Sequence, residues 1–450
     1  MRLIESIKTF CPAYRQLVIL GLPILVGQLG NIVVGFADNI MVGHYSTEAL
    51  ASASFVNNLF NVAIFCLMGF SYGLTPLVGA LFGSGRRRDI GSLTRTALRI
   101  NIAFTLAIMA IMAVIYANLD RMGQPAELLP IIRPYYLIYL AGMLPLCIFN
   151  VLAQWSYAIN NTRMPMWIIL GANILNIAGN YVLIFGKLGA PELGLFGAGI
   201  STLAARTVCM AAMLTALLYG KRFAEYRAGF VEGRARQGDG SLLWRTSMPV
   251  AMQMTFESGS FTAAAIMTGW LGTVPLAAFQ IIVIIGTLGF CIYYSIGAAI
   301  TIKVANAAGS EVDAQQQMRH MAWAGYHIML VVMSCSSLIF ICLGHALMGA
   351  FTNDAEVLAL ASTLLVPLIL YQLGDATQIT FANALRGTSQ VMPMLWIAFV
   401  SYVIVGIPAT YWLGICTPLG TYGIILSFTA SLFLAGVLFL YYFLRATRSE

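Results

Sequence analysis

The chain has 450 residues, of which 60% are hydrophobic and only 9% charged, and its mean hydropathy is +0.84. A soluble domain is about 25% charged, so this composition excludes an ordinary soluble enzyme or binding module and indicates a polytopic membrane protein. The net charge of +7 is not a nucleic-acid footprint, because the basic residues sit in short loops between apolar stretches.

A spanning helix needs about 20 apolar residues. Twelve such stretches are predicted, at 15–41, 52–82, 95–117, 133–157, 165–186, 197–219, 245–271, 279–308, 320–345, 356–383, 393–414 and 421–444. Lipid offers no partner to an open backbone, and none of the stretches alternates as a barrel strand would, so each is expected to be helical. The short polar N-terminus is followed by an apolar run too long for a signal-peptide core and lacking an A-x-A-like cleavage site, so the run is expected to be retained.

Loop charges give the orientation. Arg2, Lys8 and Arg15 lie at the N-terminus, and Arg86, Arg87 and Arg88 follow the second stretch, with Arg95 and Arg99 just beyond. Lys221, Arg222, Arg227, Arg234, Arg236 and Arg245 mark the central loop, and Arg445 and Arg448 the tail. The other face has only Arg121, Arg133 and Lys187, against Glu48, Asp120, Glu127, Glu192, Asp354 and Glu356. The positive-inside rule then places both termini and the central loop in the cytoplasm.

The central loop, about Lys221–Ser241, is the longest polar run and reads as a linker. The expected domains are an N-lobe at 1–219, a cytoplasmic linker at 220–244 and a C-lobe at 245–450. The lobes repeat. The shift that carries Pro23 onto Pro249 also places Leu50-Ala51 on Leu276-Ala277, Thr75 on Thr301, Gly83 on Gly309, and Gly194/Gly197 on Gly420/Gly423. A constant offset across six helices predicts two pseudo-symmetric six-helix bundles of the same orientation. Prolines at 23, 76, 145, 249, 367 and 408 are expected to lie inside helices and to kink them.

Three acids lie in apolar surroundings: Asp38, Glu257 and Asp375. Glu257 is the one charged residue between Thr246 and Ile302, and a carboxylate at a helix centre costs about 2.5 kcal/mol or more. Asn31 precedes Asp38 by two turns. Asn173, Asn176 and Asn180 form a polar stripe on the fifth stretch, and Asn57 and Asn61 lie one turn apart on the second. Gln253 and Ser260 flank Glu257, while Tyr371, Gln372 and Gln378 flank Asp375. Such amides also serve as helix–helix glue, but with a carboxylate they supply the oxygen ligands that suit a hard cation. A low-dielectric site disfavours the charged carboxylate, so each acid is a candidate carrier of a proton or a metal cation. The repeat places Asn31 opposite Glu257 and, with the two-residue slip that puts Met164-Pro165 on Met392-Pro393, Cys147 opposite Asp375, so the paired acids belong to the second lobe alone. Arg206 and Lys303 read as a cation with an interior acceptor and a snorkelling lysine. The eight cysteines lack paired or metal-binding spacing, and there is no Walker loop or dinucleotide turn.

The stretches Leu22–Ser54, Pro249–Phe261 (PVAMQMTFESGSF) and Tyr371–Asn383 (YQLGDATQITFAN), with the NNTRMPM loop, resemble a multidrug and toxic compound extrusion (MATE) transporter of the NorM-like branch. The resemblance implies a twelve-helix antiporter that expels cationic amphipathic compounds in exchange for Na+ or H+. It implies that Asp38 is the first-helix aspartate, Asn176 and Asn180 the fifth-helix polar pair, and Glu257 and Asp375 the second-lobe acids, with Tyr371 an aromatic beside them. Some members have an aspartate at the place of Asn180, so the ion preference of the first lobe stays open.

The cation or proton set is therefore Asp38, Asn176, Asn180, Glu257 and Asp375, with Na+ placed as a candidate at Glu257, Asp375 or Asp38. The substrate cavity is expected to use Asn31, Gln253, Tyr371 and Gln378. No catalytic residues and no cofactor beyond the coupling ion are expected. Expected partners are small organic cations and membrane lipid, with no nucleic acid, for a monomer in the bacterial inner membrane. Two alternatives are a major-facilitator drug/H+ antiporter and a lipid or polyisoprenoid flippase. Against the first, Gly79–Arg88 lacks the aspartate of that class's loop signature. Against the second, the acids are the wrong sign to hold phosphate.

Overall fold

A computed structural model describes residues 2–448 apart from 124, 234, 235 and 311, with side chains omitted for 2–9 and Leu288. Of the basic residues used for orientation, Arg234 lies outside the described residues, as do the side chains of Arg2 and Lys8.

The first half of the chain forms α1 (Arg2–Tyr45), α2 (Thr47–Tyr72), α3 (Leu74–Gly83), α4 (Arg87–Ala117), α5 (Leu129–Ala141), α6 (Met143–Ala158), α7 (Arg163–Phe185), α8 (Gly194–Tyr219) and α9 (Ala224–Glu232). The second half forms α10 (Asp239–Trp270), α11 (Thr273–Ala308), α12 (Ala314–Gly349), α13 (Ala355–Thr363), α14 (Leu365–Gly387), α15 (Met392–Ala398), α16 (Ile407–Tyr411) and α17 (Gly420–Ala446). Joined across their breaks, these helices give one rod for each of the twelve predicted stretches. Among the described residues ten rods are long and apolar enough to cross a membrane, and the bent pair α13–α14 makes an eleventh. The rod left out is α10. Its middle reads Q-M-T-F-E-S-G-S-F-T, so the helix that carries Glu257 is also too polar to read as an ordinary span.

The prolines have three outcomes. Pro76, Pro145 and Pro367 are each the third residue of a new helix, after breaks at Gly73, Gly142 and Leu364. A proline is tolerated in a first turn because its missing N–H has no intrahelical partner there. The α13–α14 break bends the rod by 46°. Pro408 sits between two wider π-helical stretches, Phe399–Gly406 and Trp412–Cys416. Pro23 and Pro249 are carried inside the continuous helices α1 and α10.

Two compact units result, one of Val26–Ala251 and one of Met1–Leu25 with Met252–Glu450. Both cuts fall just past the matched prolines Pro23 and Pro249, rather than in the polar stretch at 220–244 from which the expected lobes were drawn. That stretch is not an open linker either. A 3-10 turn at Lys221–Phe223 leads into α9, and α10 already begins at Asp239. The reason is aromatic. Phe223 and Tyr226 are buried, with ring centroids 5.2 and 5.9 Å from that of the buried Trp155. Gly91 and Gly229 let α4 and α9 touch backbone to backbone, since a Cβ on either would overlap a carbonyl oxygen of the other segment.

Within the unit 26–251, α7 packs on α8 and α4 on α6 and α9. One apolar core surrounds Trp155, and another surrounds Phe60, whose ring lies 4.8 and 4.9 Å from Tyr136 and Tyr139. Within the other unit, α14 packs on α17, α11 and α12 around a core that includes Phe279 and Phe428, with Phe261 stacked on Phe428 at 4.6 Å.

The repeat is visible in local geometry. Gly194 and Gly420 open α8 and α17 with φ of +54° and +53°, a conformation that favours glycine. Gly197 and Gly423, one turn further on, each lie against a backbone carbonyl, of Leu183 and Leu413. Thr75 Oγ1 donates to Gln154 Oε1 at 2.7 Å, and Thr301 Oγ1 donates to Asn383 Oδ1 at 3.0 Å. In each half, then, the matched threonine ties its helix to the helix that begins at the broken rod's proline.

Candidate cation-binding sites

In the unit 26–251 the predicted acid meets the predicted asparagine stripe. Asp38, on α1, accepts a hydrogen bond from Asn180 Nδ2 on α7. Asn180 Nδ2 also reaches Asn176 Oδ1 at 3.4 Å, and Asn176 donates to Thr202 Oγ1 on α8 at 3.2 Å. Spacings of three and four residues put these amides on one face of α7. Asn176 and Asn180 are buried, and the side-chain carbonyl of Asn180 has no hydrogen-bond partner among the described residues. A buried carbonyl of this kind beside a carboxylate is an oxygen pair suited to a hard cation. Asn31 stands apart and accepts from Asn173 at 3.5 Å. Arg206, expected to find an interior acceptor, lies 4.5 Å from the centre of the Tyr139 ring. A guanidinium over an aromatic face is held by the ring quadrupole, and its charge is within reach of Asp38.

The second unit holds a denser set. On α10, Gln253 Nε2 donates to Glu257 Oε2 at 3.1 Å. On α14, Asp375 is buried, and the charges of Asp375 and Glu257 act on one another. Tyr371 and Tyr402 lie near enough to feel both acids. Tyr371 also meets Phe261 edge-on at 6.4 Å. Gln378 is buried, and its side-chain carbonyl, like the Tyr402 hydroxyl, has no partner among the described residues. Gln372 accepts from Ser336 at 2.7 Å and from Tyr293 at 3.4 Å, which binds α14 to α12 and α11.

Three participants escape a reading of the sequence. Tyr402 lies in the π-helical stretch 399–406, and π turns cannot be told from a helix by periodicity. Tyr293 lies on α11 in a run of apolar residues. Arg386, in the last turn of α14, reads as a loop anchor because it falls just past the predicted span end at 383. It is instead buried, at 8% exposure, and donates to Gln253 Oε1 at 3.4 Å and to Asn383 Oδ1 at 3.3 Å. Glu257 feels its charge. The one available signal was the motif N-A-L-R-G itself, an arginine before the turn rather than after it.

The MatE family model matches residues 23–182 and 249–412, so its two matches begin at the paired prolines Pro23 and Pro249 of the internal repeat. The chain is similar to a Geobacillus kaustophilus protein named "Probable multidrug resistance protein NorM", with 31% identity over 96% of this chain and 95% of that one. It is also similar to the multidrug resistance protein MdtK of Proteus mirabilis, with 28% identity over 94% of each. Among solved structures, a mutant of the Vibrio cholerae MATE transporter VcmN superposes with a TM-score of 0.88 at 18% identity, over 98% of this chain and 99% of that one. At that identity the likeness concerns the fold.

Proposed function

The chain belongs to the MatE family, and from that premise we propose that it is a multidrug efflux antiporter that exports small amphipathic organic cations in exchange for Na+ or H+. The relatives named as multidrug resistance proteins support the substrate class. The observation that carries the exchange is the Glu257–Asp375 pair, two mutually interacting acids, each the one charged residue of its stretch, at 247–302 and 357–385. The protein is an integral membrane protein. We place it in the bacterial inner membrane as a monomer, with both termini in the cytoplasm, on the strength of the loop charges.

Two carboxylates that repel one another cannot both stay ionised in a low-dielectric site without help. A proton or a sodium ion relieves them, and so does an organic cation. One set of acids with two kinds of ligand gives competition, and competition is antiport: the ion displaces the drug on one side and the drug displaces the ion on the other. Alternating exposure then only needs the protein to change which side the site faces. The carbonyl of Gln378 and the hydroxyl of Tyr402, buried without partners among the described residues, are the further oxygens such a cation would use. Asp38 with Asn180 and Asn176 forms a second place for an ion.

The test is dye efflux from proteoliposomes under an imposed Na+ gradient and an imposed pH gradient in turn, for wild type, Glu257→Gln and Asp375→Asn. The expected result is efflux under one gradient for wild type and at least about a tenfold slower rate for either variant, the rate equivalent of about 1.4 kcal/mol. Full efflux from both variants would remove the second-unit acids from the mechanism.

A further inference from the structure

We propose that Arg386 is the resident counter-cation of the Glu257 site, a fixed charge that supports the emptied carboxylate and thereby sets how tightly a transported cation binds and how readily it leaves. The inference rests on the reading of Glu257 as a transport site.

Its ground is the relay Arg386–Gln253–Glu257. A glutamine amide can be placed either way round. Here the guanidinium takes the Oε1 end of Gln253 at 3.4 Å, which leaves Nε2 to face Glu257, reached at 3.1 Å. The arginine thus fixes which end of the amide the acid sees. The arginine itself is anchored. Asn383 Oδ1 accepts from it at 3.3 Å and from Thr301 of α11 at 3.0 Å. The guanidinium is always protonated, and burying a charge is costly without an opposite charge nearby. Asn383 and Gln253 are neutral, whereas Glu257 supplies the opposite charge within Coulombic reach.

The internal repeat gives a second, independent argument. The shift that pairs Pro23 with Pro249 places Asn31 at the position of Glu257 and Asn160 at the position of Arg386, and the slightly larger shifts that pair Cys147 with Asp375 or Gln154 with Asn383 place Ala158 or Tyr157 there instead, none of them an arginine. Where the acid is missing, the arginine is missing too. The frame is duplicated, since Thr75 bonds Gln154 on α6, the helix that matches α14, much as Thr301 bonds Asn383. An arginine needed only to hold that frame would be expected in both halves.

The consequence follows from Coulomb's law. With a cation bound, the carboxylate has two positive neighbours, and the mobile one is held less tightly than it would be alone. When the cation departs, Arg386 remains and the carboxylate is not left bare. Removing the charge should therefore tighten cation binding and slow its release.

The experiment is dye efflux from proteoliposomes against the concentration of the driving cation, with Na+ varied at fixed pH and protons varied at fixed Na+. Wild type is compared with Arg386→Gln, Arg386→Met and Arg386→Lys. Loss of the charge is expected to lower the half-saturating cation concentration by about tenfold, the scale of one unit charge on the order of 10 Å away, across the bridging glutamine, at an effective dielectric constant of about 20, and to lower the maximal rate with it. Arg386→Lys, which keeps the charge and loses the fork, is expected to stay within about threefold of wild type in half-saturation, because one charge replaces another at nearly the same distance. Arg386→Met keeps much of the volume and serves if the glutamine variant does not fold. A maximal rate that falls while half-saturation is unchanged would make Arg386 a structural anchor and overturn the proposal. A wild-type rate indifferent to both cations would instead overturn the reading of Glu257 as an ion site, and this inference with it.

Discussion

Gly229→Ala is a substitution whose sign, as well as its size, separates two pictures of the segment between the halves. In an isolated helix alanine is favoured over glycine by about 1 kcal/mol. If α9 were a free helix in a solvated loop, the change would stabilise it. In the structure a Cβ on Gly229 would overlap the carbonyl oxygen of Arg88, so α9 must lift from α4. Lifting loosens Phe223 and Tyr226 from Trp155, and each aromatic contributes about 1.5–3 kcal/mol when fully buried. A gap of about 1 Å forfeits up to half of such contact energy. Arg95, which donates to the carbonyls of Val231 and Gly233, loses hydrogen bonds of about 1 kcal/mol each. The exposed pairs Arg87–Glu225 and Arg88–Glu232, at 3.5 and 3.3 Å, add little. Against the helix gain, the net loss is about 1–3 kcal/mol, or roughly 5- to 150-fold faster amide exchange across 224–232, at tenfold per 1.4 kcal/mol. Hydrogen exchange read by mass spectrometry measures this directly. Glu225→Gln, which touches only an exposed pair, should change exchange by less than about twofold. Slower exchange in Gly229→Ala would refute the docked helix.

Further outcomes follow from the repeat and from the first acid. Gly194→Ala and Gly420→Ala each place a side chain at positive φ, a cost of about 1–2 kcal/mol, and both should lower the melting temperature in detergent. Gly194→Ala should lower it further, because its Cβ also meets the Tyr45 ring, whereas at Gly420 it meets only Leu271 Cδ1 at an ordinary 3.9 Å; equal shifts would refute that contact. Asp38→Asn should abolish any dependence of efflux on membrane potential if Asp38 carries a second ion. Clamping the potential with potassium and valinomycin measures it, and an unchanged dependence would exclude that role.

The predicted rods and the constant offset between the halves were legible because both rest on strong, redundant signals: long apolar runs, and glycines and prolines whose backbone roles are fixed. Gly194 and Gly420 illustrate this, since one sequence match corresponds to nearly one value of φ in both halves. Asp38, Asn176 and Asn180 were also legible, because a helical period puts the amides on one face and an acid in an apolar helix needs donors. What was missed depended on contacts between distant segments. The polar stretch at 220–244 looked like a linker because its basic residues outweigh Phe223 and Tyr226 in any local window, yet two aromatics and one glycine are enough to dock α9. Arg386 drew no notice because the one acid on its own helix, Asp375, is three turns away, and its partners Gln253 and Glu257 lie far earlier in the chain. Tyr402 was hidden by the π-helical turns around Pro408, which shift a side chain's facing without changing composition.

The formal charges at the two sites constrain the exchange. In the unit 26–251, Asp38 is set against Arg206, which is held over the Tyr139 ring at 4.5 Å. In the other unit, Glu257 has the charge of Arg386 within reach; if that arginine offsets one of the two acids Glu257 and Asp375, one negative charge is left for a single monovalent cation to cancel. Exchange of that one cation for one monovalent drug moves no net charge, so the membrane potential does not drive it. The driving force is then the ion's concentration ratio alone, about 1.4 kcal/mol per tenfold. A second cation at Asp38 would make the cycle electrogenic and add about 2.3 kcal/mol for each 100 mV. Potential dependence in wild type that disappears in Asp38→Asn would assign the second ion to the first unit. Potential dependence that appears only when Arg386 is replaced would mean that the arginine, and not Asp38, limits the second unit to one ion.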